Sequence, residues 1–265
     1  MLMVPAGTIL HTAAVFTDGI PDFVAAAFIF LLAGAVKGLL GMGLPTVAMA
    51  LLGLVMPVTQ AAVLIGVPSL VTNGWQALYG PHLRQLLVRF WPLQLGIAIG
   101  VSLGWRFMDP RHQDTASLLL GACLVAYGVM GLLGTRLPRP ARSRERPLSC
   151  VMGVLTGLVT SATGVFVLPA VPFLQSLELE KDEMAQALGL SFLTSTVALG
   201  FLLWVAGQMR TSGIAQSMLM VLPALVGMWI GQQLRDELSQ VAFRRALFAG
   251  LAVLGGWLVL RQLAA

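Results

Sequence analysis

Charge is what this sequence lacks most. Only 10% of its 265 residues are Asp, Glu, Lys or Arg, while 57% are hydrophobic. A soluble domain carries about 25% charged residues and about 45–50% apolar ones, so this chain has too little charge to cover a water-facing surface of its size. That excludes an ordinary cytosolic enzyme, a disordered protein and a coiled coil. Cysteine is scarce too: Cys123 and Cys150 lie inside or at the edge of apolar runs, with no CxxC pattern and no neighbouring His. They read as small buried hydrophobes. His11, His82 and His112 sit outside the long runs without paired ligands, so neither a metal nor another cofactor is expected. No Lys or Arg precedes Lys37, so residues 1–18 lack the positive n-region of a secretory leader and read as a short interfacial segment. Period-two alternation is missing, which argues against a barrel.

What is present is apolar sequence in long stretches. They run Ile20–Leu40, Leu44–Met56, Val58–Tyr79, Phe90–Met108, Thr115–Gly134, Pro147–Leu177, Met184–Gly207, Ile214–Leu234 and Ala242–Leu260. A spanning helix needs about 20 apolar residues, so the reading is an all-α polytopic membrane protein with about eight transmembrane helices plus one or two short embedded pieces. The net charge of +5 comes mainly from short loops, the pattern of cytoplasmic loops rather than of a nucleic-acid surface. Thr135–Pro147 is the most basic of them, with five Arg against one Glu. It is expected to be non-helical and cytoplasmic. It separates a first membrane repeat, 19–134, from a second, 148–265.

The two halves resemble each other weakly. Gly41-Met42-Gly43-Leu44-Pro45 interrupts an apolar run in the first half, and Thr160-Ser161-Ala162-Thr163-Gly164 does so in the second. Gly43 aligned on Gly164 gives an offset of 121, Ala62–Gly66 on Ala185–Gly189 gives 123, and Gly100–Gly104 on Gly227–Gly231 gives 127. Both Ala–Gly segments lead into a polar patch, Thr72 and Asn73 in one, Thr194, Ser195 and Thr196 in the other. Internal repeats in a membrane protein point to a transporter with its substrate between interrupted helices at mid-membrane. Whether the repeats are parallel or inverted depends on whether the short pieces cross.

An unpaired backbone group in hydrocarbon costs several kcal/mol, so breaks at membrane depth persist only where protein or water satisfies them. Gly41 and Gly43 allow close approach to the backbone, and Thr160, Ser161 and Thr163 put hydroxyls beside Gly164. The helices starting after the breaks would present free N–H groups and a positive dipole end, together able to hold a small anion. Against this stands a packing role, which fits Gly96, Gly100 and Gly104, Gly153 with Gly157, and Gly227 with Gly231. Asn73 and Gln76 share a helix face, with Thr194 and Ser195 as second-half candidates. They either line a pathway or join helices. Lys37 costs ~2.5–3.5 kcal/mol at a bilayer centre, and either attracts an anion there or snorkels to the interface. No acid lies mid-run. Asp182 and Glu183 read as helix-start residues.

The residues Gly34-Ala-Val-Lys37-Gly38-Leu-Leu-Gly41-Met-Gly43, then Ala61–Gly66, then Gly227-Met-Trp-Ile-Gly231-Gln-Gln-Leu through Phe243-Arg-Arg-Ala-Leu-Phe248-Ala-Gly250, resemble the sulfite exporter TauE/SafE family of membrane transporters. The resemblance covers nearly the whole chain from about residue 20. The resemblance implies export of sulfite, an organosulfonate or a related small oxyanion or organic anion across a bacterial inner membrane, with a homodimer compatible. The competing classes are a channel-like anion uniporter, a membrane-embedded enzyme acting on a lipid or phosphate substrate, and a passive assembly subunit. An enzyme of that kind would need intramembrane acids, a His or a phosphate clamp, and a scaffold gains nothing from broken helices.

Overall fold

The structure, a computed structural model, describes residues 20–264 apart from Asp109, Arg136, Arg210 and Asp236. The expected interfacial segment 1–18 and His11 therefore lie outside the described residues. Those described form α1 (Ile20–Leu40), α2 (Leu44–Leu52), α3 (Val58–Leu78), α4 (Leu83–Leu103), α5 (Gln113–Leu133), α6 (Arg142–Thr163), α7 (Ala170–Ser176), α8 (Lys181–Val205), α9 (Thr211–Leu219), α10 (Val221–Gln233) and α11 (Gln240–Ala264). No strand occurs among them. Seven spans are long and apolar enough to cross a bilayer: most of α1, then α3, α4, α5, α8, α9 with α10 as one unit, and α11. With α6, which is 22 residues long, the bundle has about eight long helices, as the apolar runs predict. At 1.5 Å per residue, α2 with 9 residues and α7 with 7 are too short to cross.

Several boundaries differ from the sequence reading, each for a local reason. The basic segment is not loop throughout, because α6 already begins at Arg142 and contains Pro147. Glu145 sits in its first turn, where the dipole favours an acid, and accepts two hydrogen bonds from Arg89 of α4 at 2.6 and 3.0 Å. That pair also lets α4 start at Leu83, before the apolar run does, with a kink at Phe90 shortly before Pro92. The run Ile214–Leu234 is two helices that part at Met220. Pro223 has no N–H for the Leu219 carbonyl and its ring crowds that oxygen. The run Pro147–Leu177 ends its first helix at Thr163 and resumes only at Ala170.

Glycines set the packing. A Cβ on Gly34 would lie 2.2 Å from the Ala224 carbonyl oxygen and one on Gly38 2.2 Å from that of Met228, so α1 and α10 touch backbone to backbone. Gly153 and Gly157 of α6 meet the Leu93 and Ile97 oxygens of α4 in the same way, each at 2.3 Å. In both pairs residue numbers rise together, so the helices run parallel. This is one interface used twice. Pro92, Gly96 and Gly100 of α4 correspond to Pro223, Gly227 and Gly231 of α10, all at an offset of 131. The glycine match expected from sequence, Gly100 with Gly227, was therefore displaced by one helical turn. Likewise Gly164 corresponds to Gly41 rather than Gly43: each ends its helix in the left-handed region, at φ 67 and 72. Each N–H also bonds the carbonyl four residues back at 2.8 Å.

Chain direction decides the repeat question. Lys37 and Gly41 of α1 face Thr72 or Asn73 and Gln76 of α3, so α1 and α3 run the same way, with α2 returning between them. Gln76 and Asn73 meet Ala185 and Thr196, so α8 runs opposite to α3. α4 reverses after α3 and α6 runs with α4, hence opposite to α1. Equivalent helices are antiparallel, and the repeats are inverted. The ends of α3, α5 and α10 and the starts of α4, α6, α8 and α11 share one end of the bundle. It carries Arg84, Arg139, Arg142, Arg144, Arg146, Lys181, Arg235, Arg244 and Arg245, and is termed the basic end below.

The bundle is apolar outside and partly polar inside. All six Trp are at least half exposed, as are Phe28, Phe201 and Leu222, whereas Lys37, Asn73, Gln186 and many Ser and Thr are buried. That inversion is what a hydrocarbon solvent demands.

Candidate functional site

Gly34 and Gly38 press α1 onto α10, and a helix turns about 100° per residue, so Lys37 is swung towards α3. Its side chain is 3% exposed. It does not snorkel. The Nζ donates to Asn73 Oδ1 and to Thr72 Oγ1, the latter at 3.2 Å. Thr72 Oγ1 in turn donates to the Pro68 carbonyl at 2.8 Å, and Asn73 Nδ2 reaches Thr196 Oγ1 at 3.4 Å. All these partners are neutral. The two ion pairs among the described residues, Arg89–Glu145 and Arg139–Glu178, lie elsewhere. A lysine with three N–H donors thus spends two on neutral oxygens, and among the described residues no carboxylate is ion-paired with it, the acid bordering the same cleft being Asp182.

Asn73 and Thr196 are 123 residues apart, the offset that relates the Ala–Gly segments of the two halves. Each is the other's equivalent, so their contact marks the axis between the inverted repeats. On one side of it a cleft of about 460 Å³ leads to the basic end, bordered by Lys37, Gly41, Thr72, Gln76, Gln186 and Arg235 among others. On the other side the equivalent space is only about 10 Å³, filled in by Met49, Leu199, Leu203 and Met209 around Gly164. That is room for about one water at most.

The sequence-predicted residues divide accordingly. Lys37, Gly41, Asn73 and Gln76 come together at the cleft. Gln76 Nε2 donates to the Gly41 carbonyl at 2.8 Å and to the Ala185 carbonyl at 2.9 Å, so it ties the broken turn of α1 to α3 and α8. Gly43 faces away, into a separate cavity beside α11. Thr160, Ser161 and Thr163 belong to the last turn of α6, and the break itself begins at Gly164. Their hydroxyls serve local backbone: Thr163 Oγ1 accepts from the Val165 N–H at 3.1 Å, and Thr160 Oγ1 donates to the Val165 carbonyl at 3.3 Å. A Cβ on Gly164 would lie 2.1 Å from Met49 Cε. Thr194 and Ser195 return their hydroxyls to the Leu190 and Ser191 carbonyls. The second-half polar patch contributes Thr196 instead.

The expected pair of helix starts facing one cavity is not what the structure contains. Pro45 and Pro172 each remove an N–H from the first turn of α2 and α7. Val171 and Phe173 of α7 give theirs to the Val167 and Pro169 carbonyls, so little of the α7 start is left to a solute. The basic groups at the cleft are side chains, Lys37 and Arg235.

Sequence reasoning passed over Gln186, which is 2% exposed. It clamps the α3–α4 turn: its Nε2 donates to the Ala77 and Gly80 carbonyls at 2.9 and 3.2 Å, and its Oε1 accepts from the His82 N–H at 3.0 Å. A glutamine one residue into the Ala185–Gly189 repeat segment was the available signal. For Thr196 the signal was the 123-residue offset applied to Asn73.

The family model for the sulfite exporter TauE/SafE matches residues 26–258. No curated protein and no solved structure matches the chain. The match takes in almost all of the described helices, and the chain belongs to the sulfite exporter TauE/SafE family, a family of multi-pass membrane transporters.

Proposed function

We propose, from membership of the TauE/SafE family and the chemistry of the cleft, that this protein exports a small anion: sulfite, an organosulfonate or a related sulfur-containing or organic anion. The observation that carries the reading is Lys37, a buried ammonium held by neutral partners at the floor of a cleft. A monoanion entering from the basic end supplies the missing counter-charge. Thr72 and Asn73 fix the ammonium, and Gln76 keeps the Gly41 turn open beside it. By the positive-inside rule the basic end is cytoplasmic, so the conformation described is open to the cytoplasm and closed by Met49, Leu203 and Met209 towards the other side.

An inside-negative potential drives a monoanion outward by about 2.3 kcal/mol per 100 mV, roughly a fifty-fold gradient, so export is feasible without a coupled ion. The test is flux in proteoliposomes with the potential set by a potassium gradient. Sulfite or a short organosulfonate is expected to move, faster as the trans side is made more positive. Absence of flux for every small anion tried rejects the proposal. Flux that saturates and shows counterflow identifies a carrier; unsaturable flux favours the channel-like alternative.

A further inference from the structure

The two left-handed glycines of the broken α1–α2 turn face different spaces. Gly41 borders the cleft, and Gly43 borders a second cavity of about 240 Å³ lined by α1, α2, α5, Gln175 of α7 and the first half of α11. One wall of that cavity is polar and short of partners. Thr46 is 1% exposed, and its hydroxyl has no hydrogen-bond partner. A buried hydroxyl left in this state is costly, and such groups in native proteins call for an explanation. Tyr127 is also buried, and its O–H meets the Met42 Sδ at 3.6 Å, a weak acceptor. Arg235 and Arg244 complete the wall. Among the described residues neither has a carboxylate partner. The Arg244 guanidinium lies 5.4 Å over the Phe248 ring, a cation–π contact that holds it at the cavity edge. Among the described residues no acid lines this space, and the start of the nine-residue α2 adds the positive end of its dipole. The facing wall is aliphatic, with Leu39, Leu247 and Leu251.

We infer that this cavity is a second anion site, separate from the Lys37 cleft apart from Arg235, which borders both, for an amphipathic monoanion. Its oxyanion head lies between Arg244, Arg235 and the Thr46 hydroxyl, and its short apolar tail lies against Leu247 and Leu251. Arginine suits the head because its fork matches an oxyanion with paired donors. The same chemistry is offered by a free organic anion or by the head and first methylenes of an anionic lipid.

Titration calorimetry on the full chain in neutral detergent tests this, with hexane-1-sulfonate as probe and inorganic sulfite as the tailless control. In a Lys37→Gln chain, which disables the cleft, hexane-1-sulfonate binding is expected to persist at one site and sulfite to compete poorly. Adding Arg244→Gln is expected to weaken it about ten-fold or more, and the isosteric Thr46→Val about three-fold. Arg244→Gln in the otherwise unaltered chain is the check that does not depend on Lys37, and there hexane-1-sulfonate is expected to bind about ten-fold more weakly at one site. Phosphatidylglycerol that displaces hexane-1-sulfonate identifies a lipid occupant; failure to displace it identifies a free organic anion. Binding lost with Lys37→Gln, or indifferent to both Arg244→Gln and Thr46→Val in chains of unchanged melting temperature, overturns the inference. Those outcomes are independent of whether the unaltered chain carries any anion, which alone decides the transport proposal.

Discussion

Replacing Lys37 by Gln tests the transport reading most sharply, because function and stability are expected to move in opposite directions. A monoanion about 4 Å from the ammonium gains about 4 kcal/mol at an effective dielectric of about 20. Each 1.4 kcal/mol is ten-fold in affinity, which sets an upper bound of roughly a thousand-fold. The anion also sheds part of its hydration to reach Lys37, so the expected net loss is about 30- to 300-fold. Stability runs the other way. Lys37 is 3% exposed and its Nζ is bonded, among the described residues, to neutral oxygens of Thr72 and Asn73, and a central lysine costs ~2.5–3.5 kcal/mol on insertion scales. A glutamine amide keeps polarity and donors at this position and removes the charge. The variant is expected to melt no lower than the parent, while sulfite no longer raises its melting temperature as a ligand of the folded state does. Its proteoliposome flux falls in parallel. A Lys37→Gln protein that binds and carries sulfite within about three-fold of the parent would refute the assignment. A protein that simply unfolds would contradict the claim that Lys37 serves binding at the expense of stability.

Further expectations concern the frame that holds the cleft. Gly34→Leu drives a side chain into the Ala224 backbone, 2.2 Å from where its Cβ would stand, and is expected to separate α1 from α10 and abolish folding. Gly256→Ala meets nothing within 4 Å and should leave the melting temperature unchanged or slightly raised, since Ala exceeds Gly in helix propensity by about 1 kcal/mol. Gly164→Ala combines a left-handed φ of 67 with a Cβ 2.1 Å from Met49 Cε. It should cost about 1–2 kcal/mol in backbone strain plus a steric part that Met49→Ala relieves. No rescue by Met49→Ala would show that the methionine does not seal that side. Glu145→Gln breaks the two-pronged contact with Arg89 and should lower stability by about 1–2 kcal/mol, read from the melting temperature with anion binding unchanged.

How far the primary structure reached can be judged residue by residue. Solvent class, helix number, the duplication and the presence of Lys37 within an apolar run were legible, because hydrophobicity and charge act residue by residue along the chain. The breaks were legible as places where glycine interrupts an apolar run, and Gly41 does end α1 in the left-handed conformation it was free to adopt. The capping of the second break was not: that Thr163 and Thr160 would spend their hydroxyls on Val165 depends on the chain's path after Gly164. The register of the repeat failed by one turn at Gly96 and Gly227 because apolar helices tolerate sliding in an alignment. Backbone contact between α4 and α6, and between α1 and α10, does not tolerate it.

Composition and pattern by themselves determined that the chain is a helical membrane protein in two related halves with one lysine set deep in an apolar run. Its three-dimensional arrangement decided that the halves are inverted, that Asn73 meets Thr196 between them, and that Lys37 rather than a pair of helix starts faces the open cleft. It also decided that Gly164 is covered by Met49. The reason is that burial and period are local properties of a helix. Which polar groups are left without partners depends on contacts between helices far apart in sequence, and only folding brings those together.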